Sequence, residues 1–442
     1  VLHASRQEST HERVEKTPWE KPPTPWKKLP PLWTFFPTAS ISRGAASRKT
    51  RNNVFLCSYC KKKSIFAHGY NIMGVLAYAC MFFWIFIMDI AQKDRIAVKN
   101  FGPIREVNVE LGDLTVLIGA QASGKSLFLQ MFKLIKDRFA ILKSLENYGF
   151  VVNNKLENLL NRYLGEGLSS MWTEDSEFVL NDKTYTRKCF ESSPKGNPAD
   201  KVFYIPAQRI LSIADGRPKY FMEFSENDPF VLRKFSDTLR LLIQNGLGDS
   251  GVLYPLPNRL KNTIKKMYDK AIFHGGKVVL DEKGGQRKIA MNVENMHLPL
   301  MTWSAGQKEF MPLLMAFYCL SGPPQNVVNR KEYEYIILEE PEMGLHPLAI
   351  QTIILQMIEF IHAGYKVIVS THSPVLLEFV WAYNYLKSIP EDKRVGALCE
   401  VFGIQSSKKY NLNFLNDIYE KDIKTYFFSR DTSGKVKAKD IS

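Results

Sequence analysis

The chain has 442 residues, 45% hydrophobic and 24% charged, an ordinary globular balance with length enough for two or three domains. Its net charge of +14 would invite an acidic partner such as DNA or a membrane surface, but residues 1–87 hold 13 Lys/Arg against 4 Asp/Glu, so most of the excess sits in the leader. The six cysteines show no paired framework, which excludes a disulfide scaffold and fits a reducing cytosol; Cys57-Ser-Tyr-Cys60 lacks the second ligand pair of a zinc site.

The first 87 residues read unlike the rest. "EKTPWEKPPTPWKKLPPLW" is Pro-rich and basic and has neither helix nor strand period, so it reads as loop. From Asn71 the chain runs eighteen residues without a charge, which makes 72–88 a membrane-span candidate by length. The basic residues before it, Arg43 to Lys63, would keep the leader in the cytoplasm and export everything after it. That topology conflicts with an ATP-binding domain downstream. Three readings stay open: a translated leader foreign to the natural protein, a membrane anchor, or a buried apolar helix. "MDIAQKDRIAVKNFGPI", starting at Met88, reads like an ordinary protein beginning, and a chain starting there is expected to suffice for nucleotide chemistry.

From Arg95, "RIAVKNFGPIREVNVELGDLTVLIG" alternates apolar and polar residues over two or three short strands. The last, Leu114 to Ile118, is a continuous apolar run, as expected of a buried parallel strand. It feeds Gly119, Ala120, Gln121, Ala122, Ser123, Gly124, Lys125, Ser126 and Leu127, the spacing of a phosphate-cradling loop. A helical pattern follows. Strand, loop and helix together predict an ATP site in which backbone amides and the helix start face the phosphates. Lys125 would pair with the β- and γ-phosphates and Ser126 would ligate Mg²⁺.

Residues 150–200 mix a helix, "KLENLLNRYL", with strands, and about 141–200 reads as an insertion. A second, compact helical insertion is expected over about 209–275. Lys261, Lys265, Lys266 and Lys270 lie on or near one face of its second helix, either a solvated face or a contact for DNA phosphates. "KVVLDEKGGQRKIAMNV" reads as a hairpin.

Three further signals carry chemistry. Ser304-Ala305-Gly306-Gln307 opens an apolar helix and forms a second anion site. Tyr335 to Leu338 is a strand ending in Glu339-Glu340, placed to hold Mg²⁺ (Glu339) and to polarise the attacking water (Glu340). "KVIVSTHSPVLL" is a strand that ends at His372, within reach of a γ-phosphate. His346, in "EEPEMGLHP", reads as a helix-capping or dimer-contact histidine.

In this order, the four elements resemble the ABC-type ATPase heads of the SMC, RecF and OLD group, and "EEPEMGLHP" resembles the OLD-like prokaryotic ATPases of phage-defence systems that pair such a head with a separate Toprim nuclease. The resemblance covers most of residues 94–442 and is weakest in the middle. It implies an α/β fold: a P-loop ABC-type head with a mostly parallel central sheet, an antiparallel β subdomain and a compact helical insertion. It implies ATP and Mg²⁺ as cofactors, Lys125, Glu340 and His372 as the catalytic set, and Gln208 as a sensor of the γ-phosphate and Mg²⁺. It also implies a homodimer or higher homo-oligomer in which Ser304–Gln307 of one chain closes on ATP held by the other. One departure stands out: Glu339 occupies a position where the group usually has Asp. No sustained heptads occur between Ser126 and Ser304, so long coiled-coil arms are not expected. No acidic metal cluster follows His372, so effector activity is expected from a separate protein. Expected partners are that effector and DNA, in the cytoplasm, or at a membrane if 72–88 is an anchor. Two other functions fit parts of the sequence: the nucleotide-binding subunit of a transporter, and an ATP-dependent non-catalytic scaffold.

Overall fold

The computed structural model describes residues 94–442, apart from 154, 194–195, 197, 247–250, 283–284, 323–331 and 405–411. The leader, segment 72–88 and the Cys57/Cys60 pair lie outside the described residues. Among the described residues, no helix is long and apolar enough to cross a membrane.

The chain enters through an antiparallel pair, β1 (Arg95–Phe101) and β2 (Ile104–Glu110), then runs into β3 (Leu114–Gly119). Every residue of β3 except Ile118 is buried. The loop after it starts α1 (Lys125–Asn147), followed by α2 (Leu156–Leu164), β4 (Trp172–Leu180), β5 (Lys183–Tyr185) and β6 (Val202–Ile205). Residue 141, the expected start of an insertion, lies inside α1, and β4 pairs with β1, so this stretch extends the main sheet.

The next segment holds the short hairpin β7 (Ile213–Ala214) and β8 (Arg217–Pro218), α3 (Phe230–Leu241), β9 (Val252–Tyr254) and α4 (Asn262–Tyr268). The helices expected here are present. Three short strands accompany them because β9 pairs with β10 (Lys277–Asp281), which continues to β11 (Lys288–Val293) and β12 (Met296–Pro299) as a four-stranded antiparallel sheet. The remainder alternates helix and strand: α5 (Ala305–Leu320), β13 (Tyr335–Glu339), α6 (Pro347–His362), β14 (Lys366–Thr371), α7 (Pro374–Leu386), α8 (Glu391–Val401), β15 (Ile423–Arg430) and β16 (Val436–Asp440).

Ten strands form one sheet in the order β5-β4-β1-β2-β16-β15-β3-β14-β13-β6. The run from β15 through β3, β14 and β13 to β6 is parallel throughout. Buried parallel strands need both faces covered, and alternate residues show it. Leu338, Ile336, Val367 and Val369 enter a core built with α5, α6 and α7. Ile337, Tyr335 and Ile368 enter a second core with α1 and α2. The antiparallel β1–β2–β4–β5 flank shares this sheet, which makes the fold the α/β ATPase head expected from the sequence.

Register decides what the sheet presents. Glu339 lies opposite Ser370, Thr371 opposite Ile118, and Leu338 opposite Ile205. The C-terminal ends of β3, β13, β14 and β6 therefore reach one edge together, where ligands bind in open α/β sheets.

Gly119 is fixed by close approach: a Cβ there would sit 2.3 Å from the Phe428 carbonyl oxygen. Backbone cannot yield as a flexible side chain can, so Gly119→Ala should cost about 1–3 kcal/mol. In contrast, a Cβ on Gly396, exposed within α8, meets nothing within 4 Å. Gly396→Ala should stabilise by about 0.5–1 kcal/mol through helix propensity. Thermal unfolding of the two variants should therefore shift in opposite directions.

Candidate functional site

The loop folds around its own lysine. Lys125 Nζ donates to the carbonyls of Gly119 (2.8 Å) and Ala120 (3.0 Å) and to Ser123 Oγ (3.2 Å), and the residue is only 4% exposed. Burial pulls its ammonium down from the usual lysine range, against the attraction of Glu340, Glu342 and Glu339. Gly124 (φ 83°) and Ala122 (φ 56°) take the left-handed turn that aims the start of α1 at the loop. Arg430, at the end of β15, straps the loop from outside: its Nε and Nη2 donate to the Ala122 carbonyl at 2.9 and 2.5 Å.

The acidic strand end lies beside this loop. Glu339 is 4% exposed and accepts from the Ala207 amide at 3.3 Å through Oε2, while its buried Oε1 has no hydrogen-bond partner among the described residues. Burial raises its carboxyl above the usual range; the Ser126 and Tyr204 hydroxyls and the Ala207 amide draw it partly back. A buried carboxylate with one unsatisfied oxygen, in hydrogen-bond contact with the Ser126 hydroxyl, is the all-oxygen donor set that a hard divalent cation takes. Glu339 and Ser126 thus fit Mg²⁺, and the longer Glu does not prevent the two groups from meeting.

Glu340 follows in a left-handed conformation (φ 41°), which costs energy for a residue with a Cβ. Its neighbours hold it there. Its amide donates to the Ser370 carbonyl (2.9 Å), and its side-chain Oε1 meets His372 Nε2 at 2.5 Å. The other imidazole nitrogen, Nδ1, lies 2.9 Å from the Gly119 carbonyl and 3.3 Å from Lys125 Nζ. The three residues assigned to catalysis from the sequence, Lys125, Glu340 and His372, are therefore in one contact cluster at the mouth of the loop.

Three supporting residues escaped the sequence reading. Arg209 is fully buried and spends its guanidinium on main-chain carbonyls: Ala207, Glu339 and Glu340 through Nη1, Pro341 through Nη2, and Glu309 through Nε, at 3.2–3.3 Å. It fixes the turn that carries Glu339 and Glu340. Its neighbour Gln208, expected as a sensor, is exposed at the same sheet edge, just beyond the end of β6. Glu342 Oε1 accepts from Thr371 Oγ1 (2.6 Å) and from the amides of His372 (2.9 Å) and Ser373 (3.2 Å), locking the histidine loop. It is the third acid of "EEPE", a visible signal whose role only the fold reveals. Arg430 has no local signal at all, because it comes from 308 residues beyond Ala122.

Ser304–Gln307 sits apart from this cluster. Ser304 caps α5: its Oγ accepts from the Gln307 amide (3.3 Å), while its own amide faces Gln307 Oε1 (3.2 Å), a capping box. Ser304 and Ala305 are exposed, and Gly306 packs on the Gly344 carbonyl, which a Cβ would approach to 2.9 Å. His346 takes the capping role: it is the N-cap of α6, with Nδ1 accepting from the Leu348 amide at 3.3 Å.

A phosphate loop on a parallel sheet edge with paired carboxylates defines a nucleotide-binding P-loop ATPase domain. Residues 188–378 match the family described as "AAA domain, putative AbiEii toxin, Type IV TA system", and residues 93–191 match "AAA ATPase domain". The "Old nuclease" of Escherichia phage P2 is 20% identical over 348 residues, 66% of this chain and 58% of that protein. The chain thus spans less than two thirds of this relative's length. Across residues 93–378 the chain is therefore similar to AAA-type ATPase domains, and over part of its length to the Old nuclease. Among solved structures, an SMC head bound to the C-terminal winged-helix domain of ScpA is similar at TM-score 0.39 and 12% identity, covering 79% of this chain and 97% of that one. The SMC head domain from Thermotoga maritima scores 0.35 at 13% identity, covering 80% and 100%. At those values the fold assignment rests on the topology given above.

Glu339 generates a prediction with a worked sign. A carboxyl raised in the folded state favours its protonated form there, so ionising it on the way to neutral pH opposes folding. Glu339→Gln should raise the unfolding midpoint at neutral pH without divalent metal. That gain should fade in acid, and stabilisation by added Mg²⁺ should be lost. Glu342→Ala should do the opposite at neutral pH: it strips three donors of their acceptor and should cost about 1–3 kcal/mol, read from denaturant midpoints.

Proposed function

We propose that this chain binds Mg²⁺-ATP and hydrolyses it, that two copies close head to tail on the nucleotide, and that closure is transmitted to nucleic acid or to a separate effector. The observation that carries the reading is the Glu340–His372–Lys125 cluster at the loop mouth, with Ser126 and Glu339 alongside.

Each residue then has a task. Lys125 exchanges its bonds to the Gly119 and Ala120 carbonyls for phosphate oxygens, a preformed ammonium that needs no reorganisation of the chain. Ser126 and Glu339 hold Mg²⁺, which offsets charge on the phosphates; Gln208, exposed at the same edge, completes the sensing of metal and γ-phosphate. Glu340 orients and deprotonates the attacking water, and His372 holds the carboxylate in place until the γ-phosphate arrives. The amides of the loop, Gly119 to Leu127, cradle the remaining phosphate charge.

The exposed start of α5 explains why one chain carries two anion sites. Ser304 and Ala305 are exposed at the helix start, with Gly306 and Gln307 partly buried behind them, so the segment acts on ATP held by a second copy. ATP then serves as the bridge between copies and hydrolysis releases it. The similarity to a phage protein named Old nuclease supports a role in nucleic-acid metabolism. The setting we propose is phage defence, with a separate Toprim-type nuclease as the effector class and the cytoplasm as the place of action.

Glu340→Gln should keep ATP binding, lower phosphate release by about a hundredfold or more, and accumulate the closed dimer in ATP on size-exclusion chromatography. Unchanged turnover would reject the base assignment. Mixing a Lys125→Ala chain with a Ser304→Arg chain should restore activity above either parent, because one composite site in the mixed dimer is intact. Mixed dimers no more active than their parents would sink the in-trans arrangement.

A further inference from the structure

Away from the ATP edge, three arginines converge on a cavity of 440 Å³. Arg217 lies in the β7–β8 hairpin, Arg240 in the last turn of α3, and Arg287 just ahead of β11. None belongs to the phosphate loop, the acidic strand end or the α5 cap. The volume falls within the range of small-ligand sites, about 300–1,000 Å³.

Each guanidinium is paired with a carboxylate. Glu223 accepts from both terminal nitrogens of Arg217 at 3.0 and 2.9 Å. Asp237, whose side chain is 6% exposed, accepts from Arg240 Nε at 2.8 Å, and Gln244 Oε1 accepts from its Nη1 at 2.5 Å. Glu282 accepts from Arg287 Nε at 2.9 Å. Among the described contacts, these bonds leave Arg240 Nη2 and both terminal nitrogens of Arg287 without an acceptor. Of the charged side chains that line the cavity, three are cationic and one, Glu223, is anionic. Such forks match a phosphate through paired N–H donors far better than they match a halide or a neutral ligand.

The other walls are of a different kind. The Tyr220 ring is 47% exposed and lies 4.8 Å from the guanidinium carbon of Arg240 and 5.8 Å from that of Arg217. Pro218 and Ile243 add apolar surface, and the Gln244 and Gln286 amides add donor and acceptor groups. Anion-matching forks next to an aromatic, apolar and amide-lined wall suit a ligand with a phosphate joined to a flat polar ring. We propose that this cavity is a second nucleotide site, one that binds a phosphorylated nucleoside independently of the ATP loop. Its source is either a free mononucleotide or the phosphorylated end of a nucleic-acid strand.

The test uses the full chain carrying Lys125→Ala, with its fold verified by circular dichroism, so that the ATP loop does not compete. Three fluorescent probes are titrated: a mononucleotide monophosphate, a short single-stranded DNA with a 5′-phosphate, and the same DNA without it. A phosphate-bearing probe should bind, more weakly as salt rises, and Arg287→Gln should reduce its affinity about tenfold or more. Arg240→Lys, which keeps the charge and loses the unoccupied Nη2 donor, should also weaken it. Binding of the mononucleotide identifies a free ligand; binding of the phosphorylated strand alone identifies a strand end. In the chain with Lys125 intact, Arg287→Gln should leave ATP turnover unchanged. The proposal is overturned if neither phosphate-bearing probe binds, if both DNA probes bind alike, or if Arg287→Gln leaves affinity unaltered. Loss of ATP turnover in both arginine variants would likewise overturn it, by assigning the cluster to the fold.

Discussion

The parallel register of four strands is the constraint on which everything else depends. Had β13 slipped one residue against β14, Glu339 would leave its place opposite Ser370 and its side chain would pass to the other face of the sheet. The long apolar runs prevent such a slip because each strand buries alternate residues in two separate cores. Hydrophobic burial thus sets the position of charged groups that contribute nothing to burial themselves. The cost appears at the edge, where Glu339 is ionisable in a place that favours the neutral form, and Glu340 is held at a positive φ.

Arg209 offsets that cost. Five carbonyl oxygens meet a single buried guanidinium, which would be expensive to desolvate without them. Nearby Glu309, Glu342, Glu340 and Glu339 counter the effect of burial on it. Three of these also counter the burial of Lys125. Two buried cations and a group of carboxylates therefore stabilise one another before any nucleotide is present. An anionic phosphate joins a site whose positive groups are already paid for by packing and main-chain dipoles, the condition for electrostatic preorganisation.

The parts of this site that were legible in the sequence share a property: each is a local pattern whose chemistry needs only its immediate neighbours. The loop from Gly119 to Ser126, the Glu339-Glu340 strand end and His372 at the end of β14 are all of this kind, and so is the α5 cap, because a capping box spans four residues. The strand-rich character of 209–275 was not legible, since β7, β8 and β9 have two or three residues each and owe their state to partners such as β10. Arg209 carried no signal in the sequence, because nothing in "PAQRIL" shows that carbonyls from Glu309 and from 339–341 converge on it. Arg430 and the Arg217–Arg240–Arg287 cavity were invisible for the same reason: their meaning lies in contacts across the fold. The unusual Glu339 was legible as a departure, but only its contact with the Ser126 hydroxyl shows how the longer side chain is accommodated.

The turn from Glu340 to His346 joins these elements into one mechanical unit. At its start, Glu340 touches His372 at the loop mouth. In the middle, Glu342 holds the backbone of His372 and Ser373. Further on, the Gly344 carbonyl lies against Gly306 of the α5 cap, and Arg209 ties the α5 residue Glu309 to Glu339, Glu340 and Pro341. A shift of Glu340 on phosphate binding cannot be absorbed by loose side chains here, since backbone is packed on backbone at Gly306 and bonded to a buried arginine at Glu309. The start of α5 must move with the turn. In the proposed dimer, with the α5 cap facing the partner's nucleotide, that coupling would make occupancy of one ATP site felt at the other through a contiguous set of main-chain contacts, the physical requirement for cooperative closure.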